Sequence, residues 1–147
     1  MPRVLIAEDD LMIADLVEGT LTEHGYEVCG IGRTVSEALS LARLFDPDLA
    51  VLDLRLADGE LGTEIGCRLI GRSRVGVLYA TANISEVDLT AAQGHACLTK
   101  PYRGADLVRA LEVVAGIVAT GEAIPPFPRG FRILPPARIK REPITID

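Results

Sequence analysis

The chain has 147 residues, 48% of them hydrophobic and 24% charged, and a net charge of −6. That length supports one domain with a proper core and is too short for two ordinary ones. Ten lysines and arginines stand against eighteen acids up to Thr120, a balance of −8, and five against three beyond it, +2, so the body lacks the basic face that nucleic-acid binding requires.

No apolar stretch reaches the roughly 20 residues that span a bilayer, and the opening MPRVLIA lacks a signal peptide's longer apolar region. A cytoplasmic chain without membrane attachment is the expectation. Cys29, Cys67 and Cys97 are an odd set at wide spacing, which suits small buried hydrophobes better than a zinc cluster or a disulfide framework.

Strand-like apolar runs occur at residues 3–7, 28–32, 49–52, 75–79 and 96–98. Between the first two, Asp10 is placed to cap a helix, Ile13, Leu16, Val17 and Leu21 mark its apolar face, and His24-Gly25 stops it. Thr34 and Ser36 are cap candidates for a second helix with Val35, Ala38, Leu39 and Ala42 on one face. Ile65 and Leu69 predict a third helix after Gly62, residues 85–93 a less sharply patterned fourth, and Leu107, Leu111, Val114 and Val118 the last. Five strands alternating with five helices predict an α/β fold: a doubly wound, five-stranded parallel sheet covered on both faces, with the flavodoxin-like strand order 2-1-3-4-5.

The run Leu49-Ala50-Val51-Leu52 reads as a strand buried on both faces, yet it ends in the carboxylate of Asp53, which must be solvated, paired or metal-bound. In this architecture ligands bind beyond the carboxyl ends of the strands. The first strand ends in Glu8-Asp9-Asp10, the third in Asp53, the fourth leads to Thr81 and the fifth to Thr99-Lys100-Pro101. Carboxylates gathered in one crevice repel unless a cation joins them, and an all-oxygen set suits Mg²⁺, which favours a phosphoryl partner. Lys100 then supplies a point charge and Thr81 a hydroxyl, while Asp53 can attack phosphorus to form an acyl phosphate.

The segments VLIAEDD, PDLAVLDLRL, YATA and LTKP, in that order, resemble the receiver domain of two-component response regulators over about residues 3 to 120. The resemblance implies that Asp53 accepts a phosphoryl group from a sensor histidine kinase or a histidine phosphotransfer protein. It implies that Glu8 and Asp9 form an acidic pocket, that Asp9, Asp53 and the backbone carbonyl of Arg55 ligate Mg²⁺, and that the bond before Pro101 is cis. Most relatives carry Tyr or Phe three residues before the lysine; here Cys97 stands there. Tyr79-Ala80-Thr81-Ala82 is similar to part of the Phe-Ala-Thr-Gly-x-Tyr motif of stand-alone receivers that also lack that ring. Without it, ordering of the segment between Thr81 and Gln93 is the expected readout.

Two other classes compete. A haloacid-dehalogenase-like phosphatase also uses an Asp nucleophile and Mg²⁺, but needs a second acid two residues later, where Arg55 stands. A fold-only interaction domain would not require the acids. Residues 121–147, GEAIPPFPRGFRILPPARIKREPITID, are proline-rich without helical period, so the expected organisation is a receiver over 1–120, a tail and no output domain. Signalling then runs through a downstream protein partner. Phe127, Phe131, Ile133 and Leu134 offer the tail apolar anchors, and residues 131–134 are predicted to add to a sheet edge or cover a helical face. An exchanged tail in a homodimer ranks slightly ahead of docking in cis, because exchange is a low-cost route to symmetric dimers.

Overall fold

The computed structural model describes residues 1–72, 74–82 and 88–137. Its elements run β1 (Arg3–Ala7), α1 (Leu11–Glu23), β2 (Glu27–Gly32), α2 (Val35–Phe45), β3 (Leu49–Asp53), α3 (Gly62–Arg72), β4 (Gly76–Thr81), β5 (Ala96–Thr99), α4 (Gly104–Thr120) and β6 (Phe131–Ile133). The sheet order is β2-β1-β3-β4-β5-β6, the predicted 2-1-3-4-5 order with one addition. The first five strands are parallel, and β6 from the tail pairs antiparallel with β5.

Alternation along the buried strands sorts their side chains onto two faces. Leu5, Leu52, Tyr79 and Cys97 pack with Ile65 of α3 and Ala38 of α2, whereas Val4, Ile6, Val51 and Leu78 meet Leu21 of α1 and Leu107 and Leu111 of α4. Side chains buried this fully stabilise the fold by about 1.5–3 kcal/mol each, so both layers are committed to the sheet. Asp10 caps α1, its carboxylate accepting from the amides of Met12 at 3.0 Å and Ile13 at 3.4 Å. Thr34, not Ser36, caps α2 by accepting from the Glu37 amide. His24 closes α1, and Gly25 follows at φ +86°, where a side chain would be strained.

Several expectations need correction. Among the described residues the five expected strands gain a sixth, because residues 131–133 of the tail take the sheet-edge place expected for 131–134. The fourth predicted helix, over residues 85–93, is not there in its described part: residues 88–93 form irregular chain and a turn, while 85–87 lie outside the described residues, as do 83–87 of the expected ordering segment. In that turn the side chains of Thr90 and Gln93 occupy backbone donors, Thr90 accepting from Ala92 and Gln93 from Thr90, which is how such residues compete with helix formation. Among the described residues there are therefore four α-helices. Leu16, assigned to the core face of α1 by its period, is 72% exposed. Of the cysteines, Cys97 is buried, Cys29 intermediate and Cys67 exposed, all three free.

The tail docks in cis on the chain's own β5. Thr99 donates its backbone N–H to the carbonyl of Gly130 at 3.1 Å, Leu134 donates to that of His95 at 3.0 Å, and Ala91 to that of Pro135 at 2.8 Å. Leu134, 4% exposed, enters the same core layer as Leu89. Arg109 of α4 holds the preceding segment by donating to the carbonyls of Ile124 and Pro126. No described helix is long and apolar enough to cross a membrane.

Candidate functional site

The strand ends meet in one pocket. Beyond β1, the Glu8 amide donates to the Gly32 carbonyl at 3.0 Å, which extends the β1–β2 ladder and keeps Glu8 only 4% exposed. Asp9 follows at the pocket mouth, half-buried, and Asp10 turns away to cap α1. Asp53 is the last residue of β3 and lies in register with Ala80 of β4; Thr81, buried, ends β4 opposite Thr99. The Lys100 amide donates to the Thr81 carbonyl at 2.8 Å, so the turn out of β5 is tied to the end of β4.

From that turn the Lys100 ammonium reaches back across the sheet, 3.0 Å from Glu8 Oε1 and 3.5 Å from Asp53 Oδ2. Carboxylate oxygens of Glu8, Asp9 and Asp53 lie within 4.8 Å of one another. Three carboxylates face one ammonium, so the pocket keeps an excess of negative charge. Burial, reinforced by the hydrogen bond with Asp53, pushes the Glu8 carboxyl above its ordinary value even though Lys100 pulls the other way. For Lys100, burial works to lower the pKa, but the hydrogen bond to Glu8 and the charge of Asp53 outweigh it and hold the ammonium above its ordinary value. A hard, oxygen-only donor set with surplus negative charge fits Mg²⁺.

Each sequence-predicted side chain therefore stands at the strand end assigned to it, and Glu8, Asp9, Asp53 and Lys100 converge. Arg55 lies two residues past Asp53, exposed, in a bridge with Leu61. The Lys100-Pro101 bond is cis. Two neighbours escaped the sequence reading. Tyr102 is held half-buried beside Lys100, close enough for the charges of Lys100, Glu8 and Asp53 to act on its phenol; an aromatic directly after Lys-Pro was the available signal. Gly62 is the other. Its amide donates to the Leu54 carbonyl at 2.9 Å, and a Cβ there would overlap the carbonyl oxygen of Asp53.

Beside the pocket lies an apolar cleft of about 330 Å³ between α1 and α4, lined by Ile13, Leu16, Thr20, Tyr102 and Leu107 and reaching Lys100. Leu11, Met12 and Leu16 are 52%, 78% and 72% exposed on the adjoining face of α1.

A family model described as the response regulator receiver domain matches residues 4–112. The transcriptional regulatory protein PdtaR of Mycobacterium tuberculosis is 35% identical over 116 residues, covering 76% of this chain and 55% of PdtaR. The transcriptional regulatory protein AruR of Pseudomonas aeruginosa is 36% identical over 92 residues, 60% of this chain and 37% of AruR. The chain thus spans about half, or less, of the length of these relatives. Among solved structures, a CheY-like response regulator receiver domain protein from Methanospirillum hungatei has a TM-score of 0.74 at 27% identity, over 83% of this chain and 99% of that one. The response regulator PhyR from Brucella abortus has a TM-score of 0.68 at 28% identity, over 82% of this chain and 52% of PhyR.

Proposed function

The chain belongs to the response regulator receiver family, and from that premise we propose that it accepts a phosphoryl group on Asp53 from a sensor histidine kinase or a histidine phosphotransfer protein and signals through contacts with a downstream protein. The observation that carries this reading is the Lys100 ammonium 3.5 Å from Asp53 Oδ2 inside a three-carboxylate pocket. A carboxylate oxygen of Asp53 forms a bond to phosphorus as the phosphorus–nitrogen bond of a phosphohistidine breaks, and the departing imidazole is protonated from solvent. Lys100 meets the charge on the phosphoryl oxygens, and the Thr81 hydroxyl offers one of them a hydrogen bond.

Asp9, Asp53, the Arg55 carbonyl and the acid of Glu8 would hold Mg²⁺, which when bound neutralises the carboxylates and the incoming phosphoryl. The exposed apolar face of α1 borders this entrance, so a donor protein reaching Asp53 has Leu11, Met12 and Leu16 to pack against. The chain is then a phosphoacceptor that performs one transfer and its reversal or hydrolysis, rather than a turnover enzyme.

Incubation with acetyl phosphate and Mg²⁺ should give a species one phosphoryl heavier by intact mass, and Asp53→Asn should abolish it. Omitting Mg²⁺ should slow the modification. Phosphate mapped to any other residue would overturn the assignment, and steady turnover of an unrelated phosphate ester would point to a phosphatase instead.

A further inference from the structure

We propose that residues 128–135 form a latch, closed over the β5 edge while Asp53 is unmodified and released when Asp53 is phosphorylated; this rests on the reading of Asp53 as phosphoacceptor. Pocket and latch meet at two consecutive residues. Thr99 donates both its backbone N–H, at 3.1 Å, and its hydroxyl, at 3.3 Å, to the carbonyl of Gly130. Lys100, next in the chain, donates its backbone N–H to Thr81 at 2.8 Å and its ammonium to Glu8 at 3.0 Å. Two residues joined by one peptide bond therefore carry the tail on one side and the pocket on the other.

A phosphoryl group on Asp53 brings new anionic oxygens beside Lys100 and Thr81. Lys100 then exchanges its Glu8 contact for the phosphoryl, and the turn bearing it shifts with it. Thr99 moves through the shared peptide bond, and both of its bonds to the tail end on one carbonyl oxygen, so they are lost together.

On its other side the latch is thinly held. Among the described residues beyond Gly121, Leu134 alone is buried, and β6 is three residues long. Arg109 keeps the chain around Ile124 and Pro126 on α4, so opening hinges near Gly130, whose φ of +79° lies where glycine is free to move. Arg132 faces Cys97 across the β5–β6 ladder, the position at which the chain has no aromatic ring. The bistable element is thus the docked or undocked strand, and opening it leaves the edge of β5 unpaired.

The test is amide exchange followed by NMR on the full chain with Mg²⁺, with and without acetyl phosphate, and intact mass recorded in parallel. The amides of Thr99, Leu134 and Ala91 should exchange roughly tenfold faster on phosphorylation, as a typical coupling between sites would produce, while those of Ala50 and Leu78 stay slow. Asp53→Asn should remove the acceleration. Leu134→Ala should open the latch without phosphodonor and, because equilibrium coupling is reciprocal, tighten binding of beryllium fluoride, a phosphoryl mimic. Unchanged exchange of the three amides in a protein that is one phosphoryl heavier would overturn the latch and leave the phosphoacceptor reading standing. An unmodified mass would overturn both.

Discussion

Asp53 owes its position to a residue with no side chain. The Gly62 amide binds the Leu54 carbonyl, and the absent Cβ leaves room for the carbonyl of Asp53, so α3 starts directly against the backbone of the acceptor. Overlap with backbone cannot be relieved by a rotamer change. Gly62→Ala should therefore displace Asp53, slow its modification by acetyl phosphate about tenfold or more, and cost about 1–3 kcal/mol in urea unfolding. An alanine variant with unaltered phosphorylation and stability would show that the helix start moves freely. Asp53 and Lys100 were legible because a charge directly after a buried strand has few explanations. Gly62 was not, because its constraint comes from a carbonyl nine residues earlier and from no local pattern.

At the scale of elements, β4 and β5 are joined by more than their ladder. The Val77 backbone N–H donates to His95 Nδ1 at 3.0 Å, which requires that nitrogen to be unprotonated. Burial lowers the His95 pKa below its ordinary 6.5. The unfolded chain takes up this proton near pH 6.5 and the folded protein only at lower pH. His95 thus contributes stability that is present above pH 6.5 and lost as pH falls through the lower folded value. Unfolding free energies measured between about pH 7.5 and pH 5 should fall with acid, and His95→Gln should flatten that fall; an equally steep variant would assign the slope to other groups. No local pattern in the sequence assigns His95 this task. The ring's role depends on a strand eighteen positions away, which periodicity does not reveal.

For the whole molecule, the question is what covers the sheet edge. An uncovered β5 would present unpaired N–H and C=O groups to any extended chain, and here the molecule's own tail takes that place, with Leu134 as its buried anchor. Burying such a side chain is worth about 1.5–3 kcal/mol, enough to favour docking yet small enough to be reversed. With the segment seated in cis, the full chain should sediment as a monomer, and truncation after Gly121 should leave Asp53 phosphorylatable while the uncovered edge promotes self-association. A full-length dimer that becomes monomeric on truncation would instead establish exchange of the tail between copies. Analytical ultracentrifugation of the two forms distinguishes these outcomes.

Local pattern by itself determined the alternation of most strands and helices, the cap at Asp10, the stop at His24-Gly25, the place of Thr81 at the end of β4 and the gathering of Glu8, Asp9, Asp53 and Lys100 at the strand ends. Each of these follows from periodicity and from the rule that a parallel sheet presents its chemistry at one edge. Tertiary structure decided the rest. Leu16 has the period of a core residue and lies exposed, lining the open cleft between α1 and α4 while Val17 beside it is buried. Residues 88–93 form a turn where amphipathic spacing suggested helix, because Thr90 and Gln93 satisfy the backbone themselves and the carbonyl of Pro135 takes the Ala91 amide. The tail's apolar anchors left a sheet edge and a helical face both open, and tertiary structure chose the edge, because Leu134 fits beside Leu89 and β5 had donors and acceptors to pair.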